Sequence, residues 1–158
     1  MLKYEIIDNQ AEEWVVFVHG LGGSTKTWKK QIDSFSETYN LLLLDLPGHG
    51  RNADKTIYKV DPQKLHTGIK ETLFAWMEYL MFSLNPDKIL RKLDFLGKRI
   101  LLISGDEDHC FIEGAKSIAK KMKTMEIKII KKCGHICSIE SWKSFNHIAL
   151  EYLSLCKS

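Results

Sequence analysis

The 158-residue chain has little of what would set it apart from ordinary globular proteins. With 3 prolines and 10 glycines it is neither collagen-like nor a low-complexity chain. It lacks the cysteine density of a disulfide scaffold. Its four cysteines, Cys110, Cys133, Cys137 and Cys156, fall late and irregularly, and reduced thiols in a cytoplasmic protein are the expectation. It lacks a strong charge of either sign: 23 Lys+Arg against 20 Asp+Glu leave +3, which gives no reason to expect a nucleic-acid partner. It lacks a long apolar run, because the greasiest stretch, Phe74 to Leu84, contains Glu78 and is too short to span a bilayer. No basic-then-apolar leader opens it, since Met1-Leu2-Lys3-Tyr4-Glu5 is already mixed. What is there, 44% apolar and 27% charged residues, is the composition of a chain that can bury a core. The expectation is a single cytoplasmic domain over residues 1–158, with no nucleic-acid or membrane partner.

Three apolar runs read as buried strands: Trp14 to Val18, Leu41 to Leu44, and Ile100 to Ile103. Runs that are apolar on both faces suit a parallel sheet covered by helices on each side. Each run stops at a glycine-containing loop, where such sheets place their sites. Lys3 to Ile7 and Glu126 to Lys131 alternate instead, which predicts edge or half-exposed strands. Between them lie helical patterns. Ser24 is a good N-cap for a helix carrying Trp28, Ile32 and Phe35 on one side. Asp61-Pro62 opens a second, with the stripe Leu65, Ile69, Leu73, Trp76, Leu80. Ile112 to Met122 predicts a third, and Ile139 to Leu153 a fourth. Strands alternating with helices define an α/β class. From Phe74 the second helical pattern becomes apolar almost all round, so it needs cover from another helix, a partner chain or a segment no longer present.

Four motifs sit at strand ends. His19-Gly20-Leu21-Gly22-Gly23-Ser24 follows the first buried run, and Asp45-Leu46-Pro47-Gly48-His49-Gly50 follows the second. Gly105-Asp106-Glu107-Asp108 follows the third, and Gly134-His135 the last strand. Together and in this order they resemble the α/β-hydrolase family in its esterase, lipase and perhydrolase-like branch, over residues 1–73 and 86–158. The resemblance implies a three-layer sandwich, with a mostly parallel sheet flanked by helices, and hydrolysis of small carboxylic esters or similar acyl compounds without a cofactor or metal. It implies that the Leu21 N–H is an oxyanion-hole donor, with Gly20 and Gly22 letting the chain approach a substrate and His19 shaping the loop. It implies that Asp108 is the triad acid and His135 the general base. Asn52 stands where relatives often carry serine, a departure expected to matter little.

The third triad member is missing from the text. No Gly-x-Ser-x-Gly occurs, and the serine of the interval from Asp61 to Lys98 is Ser83, in Phe82-Ser83-Leu84, with its nearest glycines, Gly68 and Gly97, 15 and 14 residues away. The nucleophile needs a sharp, glycine-flanked strand-to-helix turn, so Ser83 does not qualify. The expectation is an internal deletion joined near 73–74, with 74–96 a remnant of a cap or helical region, and little or no triad activity. Strands ordered 3–7, 41–45, 14–18, 100–104, 127–131 would keep every crossover conventional. Cys110, and less so Cys133 or Cys137, is the weak substitute nucleophile. A metal set of His109, Cys110, Cys133, His135 and Cys137 does not match structural zinc spacing. The alternative to an enzyme is a scaffold that forms a homodimer or domain-swapped dimer through the apolar 74–82 helix.

Overall fold

In the computed structural model, described over residues 3–53, 99–120, 122 and 124–156, the apolar runs become strands and the patterned intervals within those residues become helices. The chain divides into two compact units, residues 1–85 and 86–158, and each is described by itself.

The first unit contains β1 (Tyr4–Ile7), β2 (Trp14–Val18), a short 3-10 turn (Thr25–Trp28), α1 (Lys29–Ser36), β3 (Asn40–Leu44) and a second 3-10 turn (Gly50–Asn52). The strand order is β1-β3-β2. β2 runs parallel to β3, with Trp14 opposite Asn40 and Val18 opposite Leu44, and the connection between them carries α1. β1 lies antiparallel on the other side of β3, Tyr4 opposite Leu44, at the edge that its alternating pattern predicts. Ser24 caps the 3-10 turn, its hydroxyl accepting from Lys26 N–H while the Thr27 hydroxyl accepts from Ser24 N–H. The helix expected directly after Ser24 is therefore delayed by one 3-10 turn.

The core of this unit lies on one face of the sheet, where β3 is fully buried at Leu41 and Leu43. Phe17 on β2 meets Phe35 on α1 edge to face at 5.3 Å and Trp28 at 5.1 Å. The opposite face departs from the expectation of strands buried on both sides. Trp14, Val16 and Val18 are each about half exposed, as are Tyr4 and Ile6. The sole described helix of this unit packs on the Phe17 face, so nothing described covers the other.

The second unit contains β4 (Ile100–Gly105), α2 (His109–Ala119), β5 (Met125–Ile130), α3 (Cys137–Glu140) and α4 (Trp142–Ser154). β4 and β5 are parallel, from Ile100 opposite Met125 to Gly105 opposite Ile130, with α2 in the crossover. β4 is longer than its apolar run because Ser104 and Gly105 continue the ladder. Ile130, Cys133 and Cys137 form a buried cluster against Ile103, Phe145 and Ile148. The fourth expected helix is two helices. Ser141, at φ −128 and ψ 46, leaves the helical region and separates α3 from α4.

Within each unit the strands follow the expected order, β1-β3-β2 and β4-β5. The Asp61 helix, the change of composition at 73–74, the 74–96 remnant, His66, Ser83, Gly97 and the apolar 74–82 segment lie outside the described residues. No helix among the described residues is long and apolar enough to cross a membrane.

Candidate active site

In the second unit the structure brings Asp108 and His135 together. His135 Nδ1–H donates to Asp108 Oδ2 at 2.6 Å. The carboxylate is largely buried, while the imidazole side chain is 75% exposed, so its Nε2 is open to solvent. A carboxylate on Nδ1–H fixes the tautomer that leaves Nε2 as a base and stabilises the cation formed when it takes a proton.

The loops after β4 and β5 hold this pair. Asp106 N–H donates to Ile130 C=O at 2.9 Å and Glu107 N–H to Cys133 C=O at 3.0 Å, while Cys133 N–H returns to Asp106 Oδ1 at 3.3 Å. Asp108 then starts α2, its C=O accepting from Ile112 N–H. The Glu140 carboxylate accepts from Gly134 N–H and Ile136 N–H, both at 2.8 Å, and so clamps the two amides that flank His135. Phe111 on α2 stands edge to face with the imidazole at 6.1 Å. Glu140 escaped the sequence reading, because a lone glutamate inside a helical pattern carries no signal of a bond to a preceding loop.

The candidate substitute nucleophiles fare unequally. Cys133 and Cys137 are buried. Burial, reinforced by a hydrogen bond with Cys133, pushes the Cys137 thiol up to about 12, far from the thiolate a nucleophile requires. Cys110 lies in the first turn of α2, and its side chain is outside the described residues. Thiol titration of the native protein at pH 8 is expected to modify exposed Cys156 rapidly and to leave Cys133 and Cys137 unmodified until denaturant is added. Equal labelling of all three would contradict their burial. Among the described residues no group of three His, Cys, Asp or Glu could hold a metal ion.

In the first unit the loop after β2 is a tight turn. Gly23 N–H donates to Gly20 C=O at 3.1 Å, and Gly22 takes a left-handed φ of 75, the conformation that a type II turn demands of its third residue. Leu21 is exposed, and its N–H has no partner among the described residues. A Cβ at Gly20 would meet nothing within 4 Å, so the turn faces open space there.

Two histidines brace this turn. His19 Nδ1–H donates to Gly20 C=O at 2.8 Å and its Nε2 accepts from Leu46 N–H at 3.0 Å. His49 Nδ1–H donates to Pro47 C=O at 3.0 Å and its Nε2 accepts from Gly22 N–H at 3.1 Å. Asp45, fully buried, accepts from Thr25 N–H at 2.8 Å, Arg51 N–H at 3.3 Å and Arg51 Nε–H at 2.9 Å. Burial opposes its charge, yet the Arg51 guanidinium and the two backbone donors outweigh that and hold its carboxyl below the usual carboxylate range.

The expectation that Asn52 matters little is wrong. Asn52 is fully buried; its Nδ2 donates to Asp45 C=O at 2.6 Å and Lys3 C=O at 3.2 Å, and its Oδ1 accepts from Lys3 N–H at 2.9 Å. One amide thus ties the start of β1 to the end of β3. A serine, with one hydroxyl, has neither the reach nor the donors for all three.

Residues 13–90 match the family model for the alpha/beta hydrolase fold. A CIB-like hydrolase from Thermoplasma acidophilum superposes with a TM-score of 0.65 at 18% identity, over 97% of this chain and 98% of that one. MenH from S. aureus superposes with a TM-score of 0.68 at 15% identity, over 98% of both chains. In sequence, the 2-succinyl-6-hydroxy-2,4-cyclohexadiene-1-carboxylate synthase of Klebsiella pneumoniae is 49% identical over 63 residues, which are 40% of this chain and 24% of that protein. The (E)-2-((N-methylformamido)methylene)succinate hydrolase of Acinetobacter baylyi is 42% identical over 40 residues, 25% of this chain and 15% of that protein. These curated relatives are thus matched over a quarter of their length or less. The chain has the α/β-hydrolase fold, with residues 13–90 matching that family's model, and an Asp–His pair and a glycine turn stand at three of its strand ends.

Proposed function

We propose that the chain is an ester- or acyl-hydrolase relative that keeps the acid–base half of its machinery and works weakly, because the serine elbow is missing. The observation that carries this is the 2.6 Å bond from His135 Nδ1–H to Asp108, which leaves Nε2 exposed as a base. In this reading His135 takes a proton from water rather than from a serine, and the water oxygen adds to the acyl carbon. The Leu21 N–H, exposed on the turn that Gly20 and Gly22 shape in the first unit, is suited to accept an oxyanion. His135 then returns the proton to the leaving oxygen. The relatives' names concern small carboxylated compounds, which supports a small acyl compound as the substrate class. The absence of Gly-x-Ser-x-Gly from the sequence and the change of composition at 73–74 support an internal loss of the strand–helix units that carry the elbow. The unbridged Cys133, Cys137 and Cys156 support a cytoplasmic location.

The test is hydrolysis of p-nitrophenyl acetate by the protein and by His135→Ala. Slow turnover above buffer, falling by about 10²-fold or to background in the variant, is expected for loss of a general base. Equal rates in both proteins overturn the reading.

A second reading, a non-catalytic module that self-associates through residues 74–82, is favoured by one observation. The Tyr4, Ile6, Trp14, Val16 and Val18 side of the first sheet is an apolar surface with nothing described upon it. In sedimentation equilibrium, a dimer that Trp76→Glu converts to monomer, with no ester turnover in either protein, would decide for this reading. A monomer at all concentrations would end it.

A further inference from the structure

We infer that His49 is a positioning residue for the 19–24 loop, and that it holds the loop only while its imidazole is neutral. The inference deepens the reading of that loop as the oxyanion site and takes its catalytic meaning from it.

The argument rests on which ring atoms are committed. A carbonyl oxygen can only accept, so His49 Nδ1 facing Pro47 C=O at 3.0 Å must carry the proton. A backbone N–H can only donate, so Nε2 facing Gly22 N–H at 3.1 Å must be bare. Both ring nitrogens are used, and the neutral Nδ1–H tautomer is the sole form that satisfies both partners. His19 is committed in the same sense, to Gly20 C=O and Leu46 N–H. The two rings lie 5.2 Å apart, and each reaches into the other's loop. His19, at the end of β2, holds the turn after β3, and His49, in that turn, holds Gly22. Both side chains are buried.

Charging His49 turns Nε2 into a donor aimed at a donor. The Gly22 N–H then loses its acceptor, and the left-handed Gly22 loses the bond that fixes it between Leu21 and Gly23. The described charged groups of the elements around the brace are Asp45 and Arg51, with Glu5 of β1 beyond Arg51 and Lys26 of the 3-10 turn after the loop. Asp45 is engaged by Thr25 and Arg51, and no described hydrogen bond joins it to either imidazole.

Amide hydrogen exchange followed by NMR tests the inference without any turnover, so a failure to hydrolyse esters leaves it standing or falling on its own. Protection factors, which remove the intrinsic pH dependence of exchange, are compared at a pH where the His49 ring resonances show the neutral imidazole and at a lower one where they show the cation. In the unaltered protein the Gly22 amide is expected to lose roughly fivefold in protection at the lower pH, the loss of one hydrogen bond of ordinary strength. His49→Gln, whose side-chain carbonyl can accept from Gly22 at either pH, is expected to keep protection at both. His49→Leu is expected to lack it at both. Gly22 protection that does not change with pH in the unaltered protein, or that falls equally in His49→Gln, overturns the inference; the first of these needs no variant to fold.

Discussion

Gly105→Ala is expected to cost the second unit about 3 kcal/mol of stability, the upper range for forcing new atoms into packed structure. Gly105 ends β4 where the loop carrying His135 crosses it. A Cβ there would run into the carbonyl groups of Cys133 and Gly134. These are backbone atoms, pinned by Glu107 N–H on Cys133 C=O and by Glu140 on Gly134 N–H. No side-chain rotation relieves the collision, so the loop must shift bodily, and it moves His135 away from Asp108. Urea unfolding measures the stability loss, and any ester turnover should fall in step. A variant as stable as the parent would show that the two loops do not approach as closely as described.

Asp45→Asn is expected to destabilise the first unit by about 3 kcal/mol at pH 7, since it removes a buried carboxylate that serves three donors. The amide keeps one acceptor oxygen and turns an NH2 toward the remaining donors. The pH dependence follows from the direction of the shift. The folded-state carboxyl lies below the usual range, so its contribution is fully present above the unfolded value of about 3.9 and is lost as pH falls through the lower folded value. Unfolding midpoints at pH 7 and at successively lower pH should therefore show parent and variant converging under acid. A gap that stays constant down to pH 2 would mean that Asp45 owes nothing to its charge.

Much of the architecture was readable because it depends on near neighbours in the chain. The runs at 14–18, 41–44 and 100–103 are apolar on consecutive residues, a strand pattern at that length, and all three are strands. Ser24 caps because its hydroxyl reaches N–H groups two or three residues on, a purely local bond. The alternating Tyr4–Ile7 run belongs at an edge, and it is there. The Asp108–His135 pairing came from the order of motifs, and the structure joins those two side chains.

What escaped the sequence involves partners far along the chain. A pattern of apolar residues says which strand is covered but not which way its neighbour runs, so the antiparallel β1 was invisible. It does not say how much cover arrives, so the half-exposed side of β2 was unexpected. The helix expected over Ile139–Leu153 is interrupted at Ser141, and Glu140 just before the break is the residue whose carboxylate holds the His135 loop. Asn52 and His49 read as turn residues, because their partners Lys3 and Gly22 lie 49 and 27 residues away.

By itself the sequence determined the strands and the Ser24 cap, and its resemblance to a family singled out Asp108 and His135 as partners. The strands and the cap follow from periodicity and short-range hydrogen bonding. Only the tertiary structure decided which nitrogen of each histidine is occupied, that the Glu140 carboxylate serves the His135 loop, and why Asp45 stays charged. Each of those depends on a donor and an acceptor being brought within about 3 Å from distant parts of the chain, and a bond of that kind leaves no periodic trace in the text.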